Sequence, residues 1–353
     1  LYRHVKTNSL HDGKLISASK AYDESRAAMG GAFLKGVTYA PGSGPLCEWE
    51  GEAFGNLWTD CRPEPVAGDV TLWLEHAARM IPDEAERNHV LDVLAYKLQN
   101  PARKINHGIL HAGIPGSGKD TLYSPFFWAL GGPEHRNIAV VRNEDLMTAF
   151  NYSIESEVMV VNELRQGPHR DVRALENFLK PILAAPPEFL PVNKKMEHPY
   201  LALNRSLVLA FSNEKKAIVL PADDRRWFVM WSTADRLPEP DACRLWDWYD
   251  AGGKAHVAAF LRTRDVSRFN PARPPMMTPA KKHLLRALDH DVEHELFLLA
   301  HERRGPFSQG VVASPWGIVC SQCEAAIKRG AISISQLQAA LQAADWADRG
   351  RIA

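Results

Sequence analysis

Gly113-Ile114-Pro115-Gly116-Ser117-Gly118-Lys119-Asp120-Thr121 is the stretch on which the fold of this 353-residue chain turns. Ile109-Leu110 ahead of it reads as a short apolar strand, and a helical pattern runs behind it to about Leu130. Strand, glycine-rich turn and helix in that order are the setting in which such a loop cradles phosphate. Glycines let successive backbone N–H groups converge without Cβ clashes, and the helix start adds partial positive charge. The spacing assigns Lys119 to the β- and γ-phosphates, with Gly113, Pro115, Gly116, Ser117 and Gly118 as the cradle. The position after the lysine is Asp120, where Ser or Thr is usual, so Thr121 is the candidate hydroxyl near Mg²⁺. The competing reading is a glycine-rich turn with an incidental lysine. Pro125, seven residues past Gly118, predicts a kink or an early end to the helix.

Outward from the loop, continuous apolar runs predict buried parallel strands in an α/β sheet: Ile138–Val141, Val158–Val161, Leu207–Phe211 and Trp227–Trp231. Val158-Met159-Val160-Val161 ends in Asn162-Glu163. A carboxylate there can orient and polarise an attacking water, and Asn162 replaces the more usual acidic residue. Leu207–Phe211 ends in Ser212-Asn213, and an amide at a neighbouring strand tip can hydrogen-bond a γ-phosphate or the water. Asp223-Asp224-Arg225-Arg226 comes next. It reads either as a surface ion-pair cluster or as arginines that reach the next subunit's phosphate in a ring.

Residues 1–68 hold short strand-like pieces, such as Phe33–Tyr39, broken by turns such as Pro41–Pro45. Residues 69–100 carry two helical stripes broken by Pro82-Asp83, and 101–265 read as the core that holds the phosphate loop. After a Pro-rich link at Asn270–Pro275, residues 271–353 read as a small helical or winged-helix module, with a helix around Lys281–Arg304.

The order of glycine loop, Val-Asn-Glu, Phe-Ser-Asn and Asp-Asp-Arg-Arg resembles that of the superfamily 3 helicases, closest to the helicase part of phage, prophage and plasmid primase-helicases. Tyr39-Ala40-Pro41-Gly42, Asn56-Leu57-Trp58, Leu179-Lys180-Pro181, Pro186-Pro187 and Val192-Asn193-Lys194-Lys195 fit the same likeness, which covers roughly residues 35 to 235. The resemblance implies a AAA+-like ATP hydrolase that forms a hexameric ring, uses ATP and Mg²⁺, and translocates on single-stranded DNA during replication. It makes Lys119, Glu163, Asn213, Arg225 and Arg226 the catalytic set, with Thr121 and Glu163 toward the metal through the nucleotide, Asp120 and Asn162 among the nucleotide-binding residues, and any Mg²⁺ contact at Asn162 weaker or through water. It also implies a channel hairpin, here roughly Phe189–Leu203, with Lys194, Lys195 and His198 toward the DNA. A primase domain often precedes this part in the family. None is visible here, and the chain does not begin with Met, consistent with a fragment.

The alternatives are an adenylate-kinase-like phosphotransferase, whose loop has the same spacing, and a ring ATPase that remodels DNA complexes without unwinding. The kinase has no use for Phe-Ser-Asn followed by paired arginines.

Lys plus Arg and Asp plus Glu both number 42. That balance excludes a uniformly basic DNA-coating protein but not a basic channel. By segment, residues 41–100 hold 11 acidic residues against 4 basic ones, while 165–216 hold 9 basic against 5 acidic. Residues 260–290 hold 7 basic against 2 acidic. Their cations (Arg262, Arg264, Arg268, Arg273, Lys281, Lys282, Arg286) are either a second DNA-facing patch or a solvated face. With 45% hydrophobic residues the chain can build a core, and no run suits a transmembrane helix or signal peptide. Five cysteines point to reduced thiols and a cytoplasmic setting, in a bacterial host if phage- or plasmid-encoded. Cys320-Ser321-Gln322-Cys323 lacks a second pair for zinc. His290 and His294 read as a polar helix face, and Trp246–Tyr249 as core packing.

Overall fold

The computed structural model describes residues 6–11, 14–17, 20, 34–142, 151–164, 178–214, 217–218, 220 and 223–285. Beyond these it describes 296, 299, 304–308, 314–327, 332, 334–335 and 337–338. His290, His294, Arg286 and most of the expected Lys281–Arg304 helix lie outside the described residues.

The centre is a five-stranded sheet, all parallel, in the order β12-β6-β11-β8-β7. Its strands are β6 (Gly108–Gly113), β7 (Ile138–Arg142), β8 (Val158–Asn162), β11 (Leu207–Ser212) and β12 (Trp227–Ser232). The continuous apolar runs are explained by burial on both faces. Ile109, Val158, Val160, Leu207, Leu209, Phe211, Phe228 and Met230 point into one core. Leu110, Met159, Val161, Val208, Ala210, Trp227 and Val229 alternate with them and point into the other.

Helices cover the first face: α1 (Thr71–Met80), α2 (Glu84–Gln99) and α3 (Lys119–Gly131), then, after β12, α4 (Glu239–Trp248) and α5 (Lys254–Thr263). Asp83, which separates the first two, caps α2 by accepting from the Glu86 N–H at 2.8 Å. Pro125 does not bring α3 to an early end; the helix continues to Gly131. Proline has no N–H for the carbonyl four residues back, and the Tyr249 hydroxyl donates to that Thr121 carbonyl at 2.9 Å. The next carbonyl, Leu122, receives the Trp73 indole N–H at 2.9 Å. Of the Trp246–Tyr249 cluster, Tyr249 is buried but Trp246 is exposed, under the Lys254 ammonium.

The second face is covered by a hairpin of β9 (Phe189–Val192) and β10 (Tyr200–Leu203), by helical residues 178–183, and by Tyr39 and Trp58. A small sheet of β3 (Leu34–Thr38), β4 (Leu46–Trp49) and β5 (Glu52–Asn56) precedes the core. An antiparallel pair, β1 (Lys6–His11) with β2 (Lys14–Ser17), comes before it. The two lead-in stretches noted in the sequence meet at Asn56. Its amide oxygen accepts from the Ala40 and Trp58 N–H groups, and its amide nitrogen donates to Ala40 and Gly44 carbonyls, all at 3.0 Å. A further helix, α6 (Trp316–Ile327), carries Cys320 and Cys323, both buried. Among the described residues no helix is long and apolar enough to cross a membrane.

Candidate functional site

All five core strands point the same way, so their carboxyl ends form one edge of the sheet, and the site lies there. Gly113 ends β6, and the loop that follows turns into α3 through two left-handed glycines, Gly116 (φ 74°) and Gly118 (φ 102°). At Gly118 both space and backbone exclude a side chain; at Gly116 the left-handed backbone disfavours one. A Cβ on Gly118 would lie 2.6 Å from the His76 ring, and one on Gly116 would crowd Arg236 at 3.0 Å.

Three successive carbonyls of the loop accept hydrogen bonds from residues outside it. Gly116 accepts from the Leu237 N–H at 2.9 Å, and Ser117 from Arg79 Nη1 at 2.8 Å. Gly118 accepts from His76 Nε2 at 2.9 Å, which places the ring proton on that nitrogen. Arg79 also donates to the Asp235 carbonyl at 2.6 Å, so it staples the loop to the segment after β12. Burial lowers the His76 pKa, so the neutral ring suits this role. With carbonyls turned outward, the Gly116, Ser117 and Gly118 N–H groups make no hydrogen bond among the described residues. Unspent N–H groups at a helix start form a nest for an anion. His76 and Arg79 were not visible as site residues in the sequence; no local motif marks a contact made some forty positions away.

A cavity of about 490 Å³ opens above the loop. It is lined by Pro115 through Thr121, by Asn162 and Glu163 from the β8 tip, and by Ser212 and Asn213 from the β11 tip. Leu237 and Ala242 close one side. Lys119 Nζ donates to the Gly113 and Ile114 carbonyls, each at 2.8 Å, and to Asn213 Oδ1 at 3.2 Å. Burial holds its pKa below the ordinary lysine value, with the Asp120 charge opposing. Asp120 is exposed at the cavity wall.

Glu163 sits in left-handed backbone, φ 54°, which a non-glycine residue adopts at a cost of about 1–2 kcal/mol. Its neighbour enforces this. The Leu164 N–H donates to the Phe211 carbonyl at 2.8 Å, and Ser212 Oγ donates to the Leu164 carbonyl at 2.7 Å. The chain after β8 is thereby stitched to β11, and Glu163 is turned into the cavity wall.

The sheet does not bring Arg225 and Arg226 to this cavity. β12 pairs Trp227 with Gly108 and Ser232 with Gly113, so the arginines lie at the opposite edge, ~20 Å away along a six-residue strand. The surface-cluster reading fails for Asp224. It is buried and bonded to Lys281 Nζ at 2.7 Å. Of the seven cations between 260 and 290, Lys281 is buried and Arg264 is bound to Asp92 at 2.7 Å and Asn88 at 3.1 Å, so neither belongs to a basic patch; Arg268, Arg273 and Lys282 are exposed.

The hairpin has the arms expected, with Tyr200 opposite Val192 and Leu203 opposite Phe189. Lys195 and His198 are exposed at its tip, beside Met196, which is 95% exposed. Lys194 differs. It is folded back onto Glu155 at 2.5 Å and over the Tyr200 ring at 5.6 Å. Asn151 fixes the same arm, exchanging hydrogen bonds with Asn193 and donating to the Pro191 carbonyl. The root is held by the Thr38 hydroxyl on the Leu201 carbonyl at 3.0 Å, and by the Leu203 N–H on the Tyr39 carbonyl at 3.1 Å.

The molecule is thus an α/β protein with a five-stranded all-parallel sheet and a glycine loop over its carboxyl edge. No family model and no curated protein sequence matches it. Among solved structures its fold is similar to the apo structure of the NrS-1 C-terminal region (305–718). The two share a TM-score of 0.61 at 15% identity, over 92% of this chain and 85% of that one. Two A-form apo structures of the same region match with a TM-score of 0.59 at 14% identity. They cover 92% and 94% of this chain, and 85% and 86% of theirs.

Proposed function

We propose that this chain is an ATP-driven ring helicase or translocase that acts on single-stranded DNA, as part of a phage- or plasmid-type replication module. The observation that carries the reading is the convergence in one cavity of the anion nest, Lys119, Asn162, Glu163 and Asn213, drawn from three neighbouring strand ends. The motif order supports a superfamily 3 assignment, and the fold likeness is consistent with it.

In this reading the loop N–H groups and Lys119 bind the β- and γ-phosphate oxygens. Lys119 exchanges its carbonyl partners for the nucleotide, so no buried charge is left bare. Glu163 accepts a proton from water as the water oxygen attacks the γ-phosphorus, and the bond from that phosphorus to the β–γ bridging oxygen breaks. ADP and phosphate leave. Asn213 orients the water or the γ-phosphate from the next strand tip. The Thr121 and Glu163 oxygens, with Asn162 through water, would hold Mg²⁺ in keeping with its all-oxygen preference, and the ion would neutralise phosphate charge. Arg225 and Arg226, remote from their own subunit's cavity, act on a neighbour's nucleotide in a homo-oligomeric, hexameric ring. Lys195 and His198 contact the DNA backbone.

The test is ATP hydrolysis with and without single-stranded DNA, together with the particle mass under the same conditions. DNA-stimulated hydrolysis by a ring supports the reading. A monomer that moves phosphate onto a nucleoside monophosphate, indifferent to DNA, overturns it.

A further inference from the structure

The turn that carries Arg225 and Arg226 is fastened from the far end of the chain. The Asp224 carboxylate accepts from the backbone N–H groups of Arg226 at 3.3 Å and Trp227 at 3.1 Å. Its remaining capacity is met by Lys281 Nζ at 2.7 Å. The same ammonium donates to the Asp224 carbonyl at 2.8 Å and the Trp227 carbonyl at 3.0 Å. All three Nζ protons are therefore spent on one four-residue turn. Both side chains are buried, 2% and 3% exposed. Lys281 is itself fixed, since its N–H donates to Thr278 Oγ1 at 3.0 Å while that hydroxyl donates to the Val229 carbonyl in β12. The Arg226 carbonyl accepts from the Gly108 N–H at 2.9 Å at the start of β6.

The arginine side chains are treated in the opposite way. Arg225 is exposed, Arg226 is partly so, and neither guanidinium has a hydrogen bond or ion pair among the described residues. A rigid backbone carrying unspent guanidinium groups is the arrangement of a contact made ready for another molecule.

We propose that Lys281, with Asp224, is a positioning residue: the buried pair aims Arg225 and Arg226 at a neighbouring subunit's nucleotide, and it makes turnover depend on the segment after the Pro-rich link. This rests on the ring reading above. It adds that a residue of the C-terminal segment, without touching the nucleotide, governs catalysis in the adjacent subunit.

The experiment uses the full chain. Lys281→Met is made alone and together with Asp224→Asn. The double variant removes both buried charges at once, so it stays folded where the single one fails. Expected is a kcat for ATP at least roughly 10-fold lower, with KM within about twofold, because the loop and cavity are untouched. The double variant is then mixed with Lys119→Ala subunits, which lack the nucleotide lysine but keep the arginine turn. Mixed rings regain roughly one quarter of wild-type turnover at equal amounts, since only interfaces that join an intact loop to an intact arginine turn are active. An Arg225→Ala/Arg226→Ala protein mixed with the same partner is the control. Restoration by the control but not by the Lys281 variant overturns the positioning role and leaves the ring reading standing. Failure of both overturns the ring arginines themselves. Wild-type turnover in the folded double variant also overturns the proposal.

Discussion

Lys119 Nζ donates to Asn213 Oδ1 across 3.2 Å, which joins the glycine loop to the tip of the neighbouring strand. Two side chains ninety-four positions apart thus share one cavity wall. Lys119→Ala is expected to abolish nucleotide binding, because it removes the only ammonium on that wall among the described residues. Asn213→Ala leaves binding within a few fold and lowers single-turnover hydrolysis roughly 10²-fold, the scale of one lost donor to developing charge. Equilibrium binding of a fluorescent ATP analogue beside a quenched-flow measurement separates the two.

Glu163 carries a backbone cost, and in the proposed function a chemical role as well. Glu163→Gln keeps nucleotide affinity and lowers hydrolysis by about 10²–10⁴-fold. Glu163→Gly loses the same activity yet raises stability by about 1 kcal/mol, since glycine accepts φ 54° freely. Urea midpoints of the two variants that coincide argue against strain at this residue.

The hairpin lysines are unequal. Lys195→Ala with His198→Ala is expected to weaken single-stranded DNA binding and to reduce the slope of log affinity against log salt by about one, the signature of a lost phosphate contact. Lys194→Ala changes that slope little, because its ammonium is already on Glu155. Titrations at several salt concentrations decide this, and a larger loss of slope at Lys194 contradicts it.

Arg79 touches no nucleotide atom in this scheme, yet it ties the Ser117 and Asp235 carbonyls together. Arg79→Ala frees the loop, so ATP affinity is expected to fall about tenfold, at a stability cost of about 1–2 kcal/mol. An unchanged affinity in the folded variant removes Arg79 from the binding machinery.

Acid will act on buried histidines. Burial pushes His89 down to about 4, and His107 and His111 down to about 3. The unfolded chain protonates these rings near pH 6.5 while the folded one does not. Their contribution is therefore complete above pH 6.5 and is lost as pH falls toward 4 and 3. For the fully buried His111, whose Nδ1 lies 3.0 Å from the Tyr123 hydroxyl, the loss is about 2 kcal/mol between pH 7 and 5. Urea midpoints at those two pH values should shift less in His111→Asn than in the unsubstituted protein.

The parallel sheet was legible because burial on both faces leaves unbroken apolar runs, and the loop because only glycines reach φ 74° and 102° without strain. The hairpin arms were legible down to their end residues. What stayed hidden was long-range polar pairing. Nothing near Lys281 announces Asp224, nothing near Lys194 announces Glu155, and a count of cations treated all as solvent-facing. Pro125 misled for a related reason. Its missing hydrogen bond is made good by Tyr249, 128 positions beyond the carbonyl that it serves.

β11 has mechanical meaning. Its six residues are all buried and paired on both sides, with the hairpin root four residues before Leu207 and Asn213 one residue after Ser212. Such a strand neither stretches nor bends appreciably. The hairpin root and Asn213 are thereby the two ends of one buried segment, with no other element of the chain between them.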